Sequence, residues 1–300
     1  MAIVIPDTLP AYSILKSENI QVMSARRARS QDIRPLEIAI LNLMPLKAVT
    51  ETQLMRLLSN SPLQVNITLL STESYVGRHT PIEHLEKFYK SFSDVSDRNY
   101  DGMIITGAPV EDIDFKDVAY WKELTTVFDY TKKHVTSTIF ICWSALAALY
   151  HFNGIRKTPL KQKLFGIYRH HKTTFGEKLL KGTDDEFCMP HSIRSAVSDR
   201  DILANDDLEM LAYSPAAGPG IIKSKDERSI FILGHVEYDR DTLDTEYKRD
   251  LAKGIPMHKP ENYYLDDACS GINMSWCSTG NLIYMNWLNH YVYQVTPYLI

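Results

Sequence analysis

The sequence predicts an α/β fold with a mostly parallel sheet and helices on both faces. Short apolar runs alternate with segments of helical character from about residue 36 onward, and polar loops directly follow several of these runs. Strands that alternate with helices tend to pair in parallel and to be covered on both faces. The carboxyl ends of such strands meet at one edge, which is where open α/β sheets bind their ligands.

The individual elements follow from local periodicity. Strands are predicted over Glu37–Leu43, Val65–Leu70, Gly102–Thr106, Thr138–Ile141, Met210–Tyr213, Gly220–Lys223 and Ser229–Leu233. Helices are predicted over Thr50–Leu58, Ile82–Phe92, about Asp117–Lys133, the segment after Cys142, and Leu282–Tyr293. Residues 1–35 are polar and turn-rich, and we expect them to wrap the body of the protein before its first strand. Residues 36–300 are predicted to form a single catalytic domain.

Composition excludes several classes of protein. The 300 residues are 44% hydrophobic with a formal net charge of -4, which suits a globular protein and gives no reason to expect nucleic acid as a partner. The chain start lacks the pattern of a secretory signal, and no segment approaches a membrane span. The four cysteines lie far apart without a CxxC pair, so neither a metal site nor a disulfide framework is expected. A reducing cytoplasm fits this pattern best.

Cys142 is a candidate nucleophile. An apolar run ends at this cysteine, and small residues follow it at helical spacing, which predicts a strand, a sharp turn that carries the thiol, and a helix. Backbone N–H groups and the dipole at a helix N-terminus favour a thiolate. The alternative is that Cys142 merely packs in the core, as free cysteines often do.

A cysteine nucleophile needs a base and a group that orients the base, and Gly234-His235-Val236-Glu237 supplies both. Residues two apart on an extended segment point to the same face, so the Glu237 carboxylate can reach the His235 ring. The spacing therefore predicts a Cys142–His235–Glu237 triad.

The chain resembles the homoserine O-acyltransferases of the succinyltransferase type, a family with the class I glutamine amidotransferase fold that opens methionine biosynthesis. The matching stretches run to Tyr298 and include Leu41–Pro45, Thr106–Glu111, Ile141–Trp143, Met189–Ser192, Gly234–Asp239 and Asn286–Gln294. The chain departs from the usual family pattern at Leu46, Ser144, Leu146 and Cys277–Gly280, which affects the surroundings of the triad and not its members.

The resemblance implies acyl transfer from an acyl-coenzyme A to the hydroxyl of L-homoserine through an acyl-cysteine, with no bound cofactor. His235 would move the protons and Glu237 would orient it. The Trp143 N–H and a second donor from the loop around Leu46 and Lys47 would hold the oxyanion, with Lys47 beside the active site. The residues expected to contact the amino-acid substrate are Lys163, Ser192 and Arg249.

Glu111 falls at the family position associated with acyl-donor choice, where glycine goes with succinyl-coenzyme A and glutamate with acetyl-coenzyme A. A glutamate fills space and places like charge against a succinyl carboxylate. The sequence therefore predicts a homoserine O-acetyltransferase activity. The alternatives are succinyl-coenzyme A as donor, a glutamine-hydrolysing relative, or a non-catalytic protein with Cys142 as a redox sensor. A symmetric homodimer is expected only from the base rate for such enzymes.

Overall fold

The computed structural model describes residues 3–30, 33–74 and 80–297. Both predicted domains therefore include a few residues outside the described ranges, and Tyr298, where the family resemblance ends, also lies outside them. The strands are β1 Ile3–Val4, β2 Val22–Met23, β3 Leu36–Leu41, β4 Val65–Leu70, β5 Tyr89–Lys90, β6 Tyr100–Ile105, β7 Val135–Ile141, β8 Thr158–Lys172, β9 Glu186–Ala196, β10 Leu208–Ser214, β11 Gly218–Ser224 and β12 Ser229–Ile232. They belong to one sheet.

The helices are α1 Pro10–Ser17, α2 Ala25–Ala28, α3 Lys47–Leu58, α4 Ile82–Phe88, α5 Trp121–His134, α6 Trp143–Asn153, α7 Asp199–Leu203, α8 Thr242–Ala252 and α9 Cys277–Asn286. A 3-10 turn covers Phe115–Asp117, and a π-helical segment, Trp287–Tyr293, continues α9. No helix in the described parts of the chain has the length and apolar character needed to cross a membrane.

The sheet order is β2-β1-β4-β3-β6-β7-β12-β11-β10-β8-β9, with β5 also paired to β4. Neighbours are parallel from β2 through to β12 and antiparallel from β12 to β9. The prediction of a mostly parallel α/β sheet is therefore confirmed. The antiparallel extension is a feature that the alternation of strands and helices did not predict.

Side chains alternate between the two faces of the sheet along each buried strand, and each face packs against different helices. Ile38 and Ile40 of β3 pack in one apolar cluster with residues of α1, α3 and α9. Ala39 and Leu41, between and after them, pack in a second cluster with residues of α5 and α6. This distribution confirms that helices lie on both faces.

The N-terminal segment contains strands of its own. β1 pairs in parallel with β4, and β2 pairs with β1, so the first strand of the sheet lies within residues 1–35 rather than after them. α1 packs on the same face as α3. The boundary at residue 35 stays a prediction.

The hairpin of β8 and β9 had no counterpart among the predicted elements. The two strands pair from Leu164↔Ile193 to His171↔Glu186 and carry polar residues throughout. Consecutive residues are buried in both strands, over Phe165–Tyr168 and Met189–Ile193, but buried polar residues such as His191 and Ser192 interrupt the apolar run. For the same reason the hairpin could not be recognised from apolar runs.

The predicted helices differ mainly at their ends. α3 begins three residues before Thr50, and α5 begins after a separate 3-10 turn. α4 ends at Phe88, because the chain turns there into β5 and the Tyr89 hydroxyl donates a hydrogen bond to the buried Glu51 carboxylate at 2.6 Å. The last helix begins earlier than predicted, at Cys277.

The register of the parallel strands brings three loops to one edge. Leu41 of β3 pairs with Ile105 of β6, and Ile141 of β7 pairs with Ile232 of β12. The loop after β3 is tied to the loop after β6, since the Leu43 N–H donates to Thr106 Oγ1 at 2.8 Å. The carboxyl edge therefore gathers these loops with the turn at Cys142, as the sequence predicted.

Candidate active site

Cys142 lies in a strained turn between β7 and α6. Its backbone has φ 52° and ψ -116°, a positive φ that is uncommon for any residue other than glycine. Its N–H donates to the Ile232 carbonyl at 2.7 Å, and its carbonyl accepts the Leu146 N–H at 3.1 Å. Such strain persists only where the surroundings over-determine it, and it is concentrated at functional sites. The predicted strand, turn and helix are present.

Ser144, one of the departures from the family pattern, helps to hold this turn. Its hydroxyl accepts the Ile141 N–H at 3.0 Å and donates to the Ile105 carbonyl at 2.7 Å. The hydroxyl therefore joins the turn to the neighbouring strand β6. This serine therefore adds hydrogen bonds beside Cys142 and helps to hold the nucleophile in position.

His235 and Glu237 lie together just beyond β12. His235 Nδ1 and Glu237 Oε1 are 2.7 Å apart, and both side chains are buried. The His235 N–H donates to the Pro190 carbonyl at 2.8 Å. A Cβ on Gly234 would lie 2.7 Å from that same carbonyl oxygen, so the glycine allows the strand to approach. Since Glu237 holds Nδ1, Nε2 is the ring nitrogen left for Cys142.

Tyr238 and Gly107 enclose the His235 ring. The Tyr238 ring stacks on it with centroids 4.1 Å apart and an interplanar angle of 10°. A Cβ on Gly107 would lie 3.7 Å from His235 Cε1 and 3.4 Å from Cys142 Cβ, so the loop after β6 lies against both side chains. The imidazole is thus fixed in its plane by Glu237 and across its face by Tyr238, a residue that sequence reasoning missed.

Cys142 and His235 share a hydrogen bond, and each side chain affects the pKa of the other. Burial raises the pKa of the Cys142 thiol, and the charge of His235 together with this hydrogen bond opposes the rise. Burial also opposes charge on His235, but the Cys142 sulfur and the Glu237 carboxylate outweigh it and raise the pKa of His235 well above its usual range. The pair can therefore exchange a proton, which is the property that a nucleophile and its base require.

Glu111 lies near enough to this pair to interact with it electrostatically. Its carboxylate accepts the Arg194 N–H at 2.6 Å, and it interacts electrostatically with Cys142, His235 and Lys163. Burial raises the pKa of Glu111, opposed by the Arg194 N–H and by the nearby positive charges. The neighbouring Asp112 is exposed, so Glu111 is distinct from the acidic loop around it.

Glu246 of α8 lies beside the three residues that were expected to contact the amino-acid substrate, Lys163, Ser192 and Arg249. Lys163 Nζ donates to Glu246 Oε1 at 2.5 Å, and Ser192 Oγ donates to the same oxygen at 2.8 Å. Arg249 Nη2 lies 3.7 Å from that oxygen. Sequence reasoning missed Glu246 because nothing local distinguishes it from other glutamates on a polar helix. The only available signal was its offset of three from Arg249 on that helix.

The loop after β3 is held by a buried polar network. Lys47 Nζ donates to the Asn42 carbonyl and lies 5.4 Å from the centre of the Tyr89 ring. Burial lowers the pKa of Lys47 to about 8, with the Glu51 carboxylate opposing the change. The described interactions of Lys47 are thus with Asn42, Tyr89 and Glu51 rather than with Cys142, His235 or Glu237. The Leu46 side chain is 53% exposed.

Trp143, which follows the nucleophile, is fully buried and packs near Phe115 and Tyr120. Its backbone N–H stands at the first position of α6, where a helix leaves N–H groups without intrahelical partners. The other three cysteines, Cys188, Cys269 and Cys277, are free. Within the described ranges, no group of three or more His, Cys, Asp and Glu side chains could hold a metal ion.

The fold and the buried Cys-His-Glu arrangement define a protein of the class I glutamine amidotransferase-like fold. A glutamine amidotransferase from Thermotoga maritima superposes with a TM-score of 0.55 at 9% identity, over 85% of this chain and 98% of that one. One from Methylobacillus flagellatus superposes with a TM-score of 0.52 at 13% identity, over 86% and 95%. At these identities the likeness concerns the fold alone.

The model of the homoserine O-succinyltransferase family matches residues 2–298, and the chain belongs to that family. The homoserine O-acetyltransferase of Phocaeicola vulgatus is 52% identical over 299 residues, which is 99% of this chain and 98% of that protein. The homoserine O-acetyltransferase of Lachnoclostridium phytofermentans is 53% identical, over 99% of both chains. The expected family and fold are confirmed.

The coupling of Cys142 to His235 predicts a pH-dependent reactivity. In a His235→Asn variant the burial of Cys142 is no longer opposed by a neighbouring charge, so the thiol pKa rises. The pH midpoint for alkylation of Cys142 by iodoacetamide should then move upward by about one unit or more. Peptide mass spectrometry measures this at Cys142, and the exposed Cys277 serves as an internal control. An unchanged midpoint at Cys142 would contradict the coupling.

Proposed function

We propose that this protein is a homoserine O-acetyltransferase, which moves the acetyl group of acetyl-coenzyme A to the hydroxyl of L-homoserine. The observation that carries the proposal is the Glu111 carboxylate, which interacts electrostatically with Cys142 and His235 in a chain of the homoserine O-succinyltransferase family. The relatives named homoserine O-acetyltransferase support the choice of donor. Acetyl-coenzyme A is a co-substrate in this proposal, and no cofactor stays bound.

In the first half-reaction, Cys142 Sγ attacks the thioester carbonyl while His235 Nε2 takes the thiol proton. The tetrahedral intermediate collapses with cleavage of the bond to the coenzyme A sulfur, and His235 returns the proton to that sulfur. Coenzyme A leaves as a thiol, and the acetyl group stays on Cys142. Glu237 stabilises the imidazolium that forms in between, through its 2.7 Å contact with Nδ1.

In the second half-reaction, His235 Nε2 takes the proton of the homoserine hydroxyl, whose oxygen attacks the acetyl-cysteine carbonyl. The bond to Cys142 Sγ then breaks, and His235 returns the proton to the sulfur. The products are O-acetyl-L-homoserine and the free enzyme. The oxyanion in both half-reactions is assigned to the Trp143 N–H and to a second donor from the loop around Leu46 and Lys47.

The groups around Glu246 are the proposed homoserine pocket. Lys163 and Arg249 carry the positive charge that a substrate carboxylate requires, and Ser192 adds a hydroxyl donor. Glu246 supplies the complementary negative charge for the substrate ammonium. Without homoserine, Glu246 accepts from Lys163 and Ser192, and Arg249 Nε donates to Asp250 at 2.7 Å, so binding of homoserine would exchange one set of polar contacts for another.

The proposal includes action in the cytoplasm as a homodimer. Free cysteines suit a reducing compartment, and closed two-fold dimers are the commonest oligomers. The proposed reaction requires neither this compartment nor this oligomeric state. Sedimentation of the purified protein measures the oligomeric state.

An acyl-cysteine should be trapped on the native protein. Mixing with acetyl-coenzyme A in the absence of homoserine is expected to add one acetyl group at Cys142, and Cys142→Ala should show no adduct because it lacks the sulfur. Intact-protein and peptide mass spectrometry measure both. Glutamine hydrolysis with no adduct and no acetyl transfer would instead support the amidotransferase alternative.

Glu111 should determine the choice of donor. The native protein is expected to prefer acetyl-coenzyme A, and Glu111→Gly should raise kcat/KM for succinyl-coenzyme A by about tenfold or more, since like-charge repulsion is removed. Steady-state kinetics with both donors at saturating homoserine measures the ratio. A native preference for succinyl-coenzyme A would overturn the assignment of Glu111.

Glu246 should affect homoserine binding and leave the first half-reaction intact. Glu246→Gln is expected to raise KM for homoserine by about tenfold to a hundredfold, since hydrogen bonds to charged groups contribute about 1.5–3 kcal/mol. The rate of Cys142 acetylation should stay near the native value. Asp244→Asn on the same helix is the matched control, because Asp244 contacts Lys248 and Tyr264 instead. Equal KM values in both variants would refute the role of Glu246.

A further inference from the structure

Lys157 binds two backbone carbonyls of the loop that carries Glu111. Lys157 stands in the segment between α6 and β8, and its Nζ donates to the Glu111 carbonyl at 2.5 Å and to the Ile113 carbonyl at 2.6 Å. An ammonium group has three donors and no acceptor, so two backbone carbonyls of one loop are natural partners for it. Lys157 therefore joins this loop to the chain that follows the nucleophile helix.

The ammonium group of Lys157 is held in place by its surroundings. It lies 4.8 Å from the centre of the Phe115 ring, within the range of a cation–π contact. The Phe115 ring stacks on Tyr150 of α6 with centroids 5.1 Å apart, and its centroid lies 5.9 Å from that of Trp143. Burial lowers the pKa of Lys157, and nearby carboxylates led by Asp114 oppose the change.

The Glu111 residue is thus held at two points. Lys157 binds its backbone carbonyl, and the Arg194 N–H binds its carboxylate Oε2 at 2.6 Å. Arg194 belongs to β9, two residues after Ser192. These two bonds tie the loop to the segment before β8 and the carboxylate to β9, at a position where Glu111 interacts electrostatically with Cys142 and Lys163.

We propose that Lys157 is a positioning residue that determines acyl-donor specificity by fixing the Glu111 loop. This inference depends on the proposed function, since it concerns the choice between acetyl-coenzyme A and succinyl-coenzyme A. Glu111 can repel a succinyl carboxylate only while its own carboxylate is kept in the acyl pocket. Without Lys157, two carbonyls of the loop lose their donor, the loop moves towards water, and Glu111 can withdraw.

The test measures the ratio of kcat/KM for acetyl-coenzyme A to that for succinyl-coenzyme A. Lys157→Met keeps an apolar stem and removes the donors, and we expect the ratio to fall about tenfold, mainly through faster succinyl transfer. Lys116→Met is the matched control, because Lys116 is an exposed lysine at the end of the same loop, and its ratio should equal the native one.

The Glu111→Gly background separates this role from general stability. In Glu111→Gly the carboxylate is absent, so adding Lys157→Met should leave the ratio where Glu111→Gly alone puts it. A loss of overall stability would instead lower both rates together and leave the ratio of the single variant unchanged. Lys157→Gln, which retains an amide donor, should give an intermediate ratio and replaces Lys157→Met if that variant fails to fold.

The inference is overturned if the Lys157 variants keep the native ratio. It is also overturned if adding Lys157→Met to Glu111→Gly lowers the ratio by the same factor as Lys157→Met lowers it in the native protein. These outcomes differ from a failure of the proposed function. If the native protein transfers neither acyl group, the proposed function itself is wrong. If the native protein discriminates and Glu111→Gly discriminates to the same degree, only the roles of Glu111 and Lys157 are wrong.

Discussion

The site depends on the parallel pairing of β7 with β12. Ile141 and Ile232 are partners at the end of this pairing, and the Cys142 N–H continues it by donating to the Ile232 carbonyl. The two chains therefore leave the sheet side by side, one as the turn at Cys142 and the other towards His235. A shift of one residue in this register would send the side chains of either strand to the opposite face. β12 is fully buried and β7 is buried except at Thr136, and burial on both faces is what fixes the register.

Two further strands complete the environment of the Cys142–His235 pair. The loop after β6 brings Gly107 against Cys142 and His235, where a Cβ would come into van der Waals contact with both side chains. The strand β9 accepts the His235 N–H through Pro190 and contributes Ser192 to the Glu246 cluster. The positive φ of Cys142 is maintained by hydrogen bonds to β12 and, through Ser144, to β6. The strain at the nucleophile is therefore offset by several neighbours rather than by one.

The charges of the site are paired with one another, which limits the cost of their burial. Glu237 is paired with His235, and Glu246 with Lys163, Ser192 and Arg249. Glu111 is the exception among the three carboxylates, since the partner at its oxygen is a backbone N–H. Burial raises its pKa, whereas the Arg194 N–H and the charges of Lys163 and His235 favour the carboxylate form that the proposed repulsion of a succinyl group requires. This difference explains how three glutamates in one pocket can have three separate roles in the proposed reaction.

The sequence by itself determined the central parallel strands, the turn at Cys142 and the His235–Glu237 pair, because apolar periodicity and a spacing of two residues are local properties. It also indicated the family, since the matching stretches are contiguous. Only the tertiary structure decided that Glu246 joins Lys163, Ser192 and Arg249, that Tyr238 stacks on His235, and that Lys157 holds the Glu111 loop. Most of these contacts join polar residues far apart in the chain, and polar residues carry no periodic signal. Their partners are set by the packing of β8, β9 and α8, elements that the apolar pattern of the sequence did not indicate.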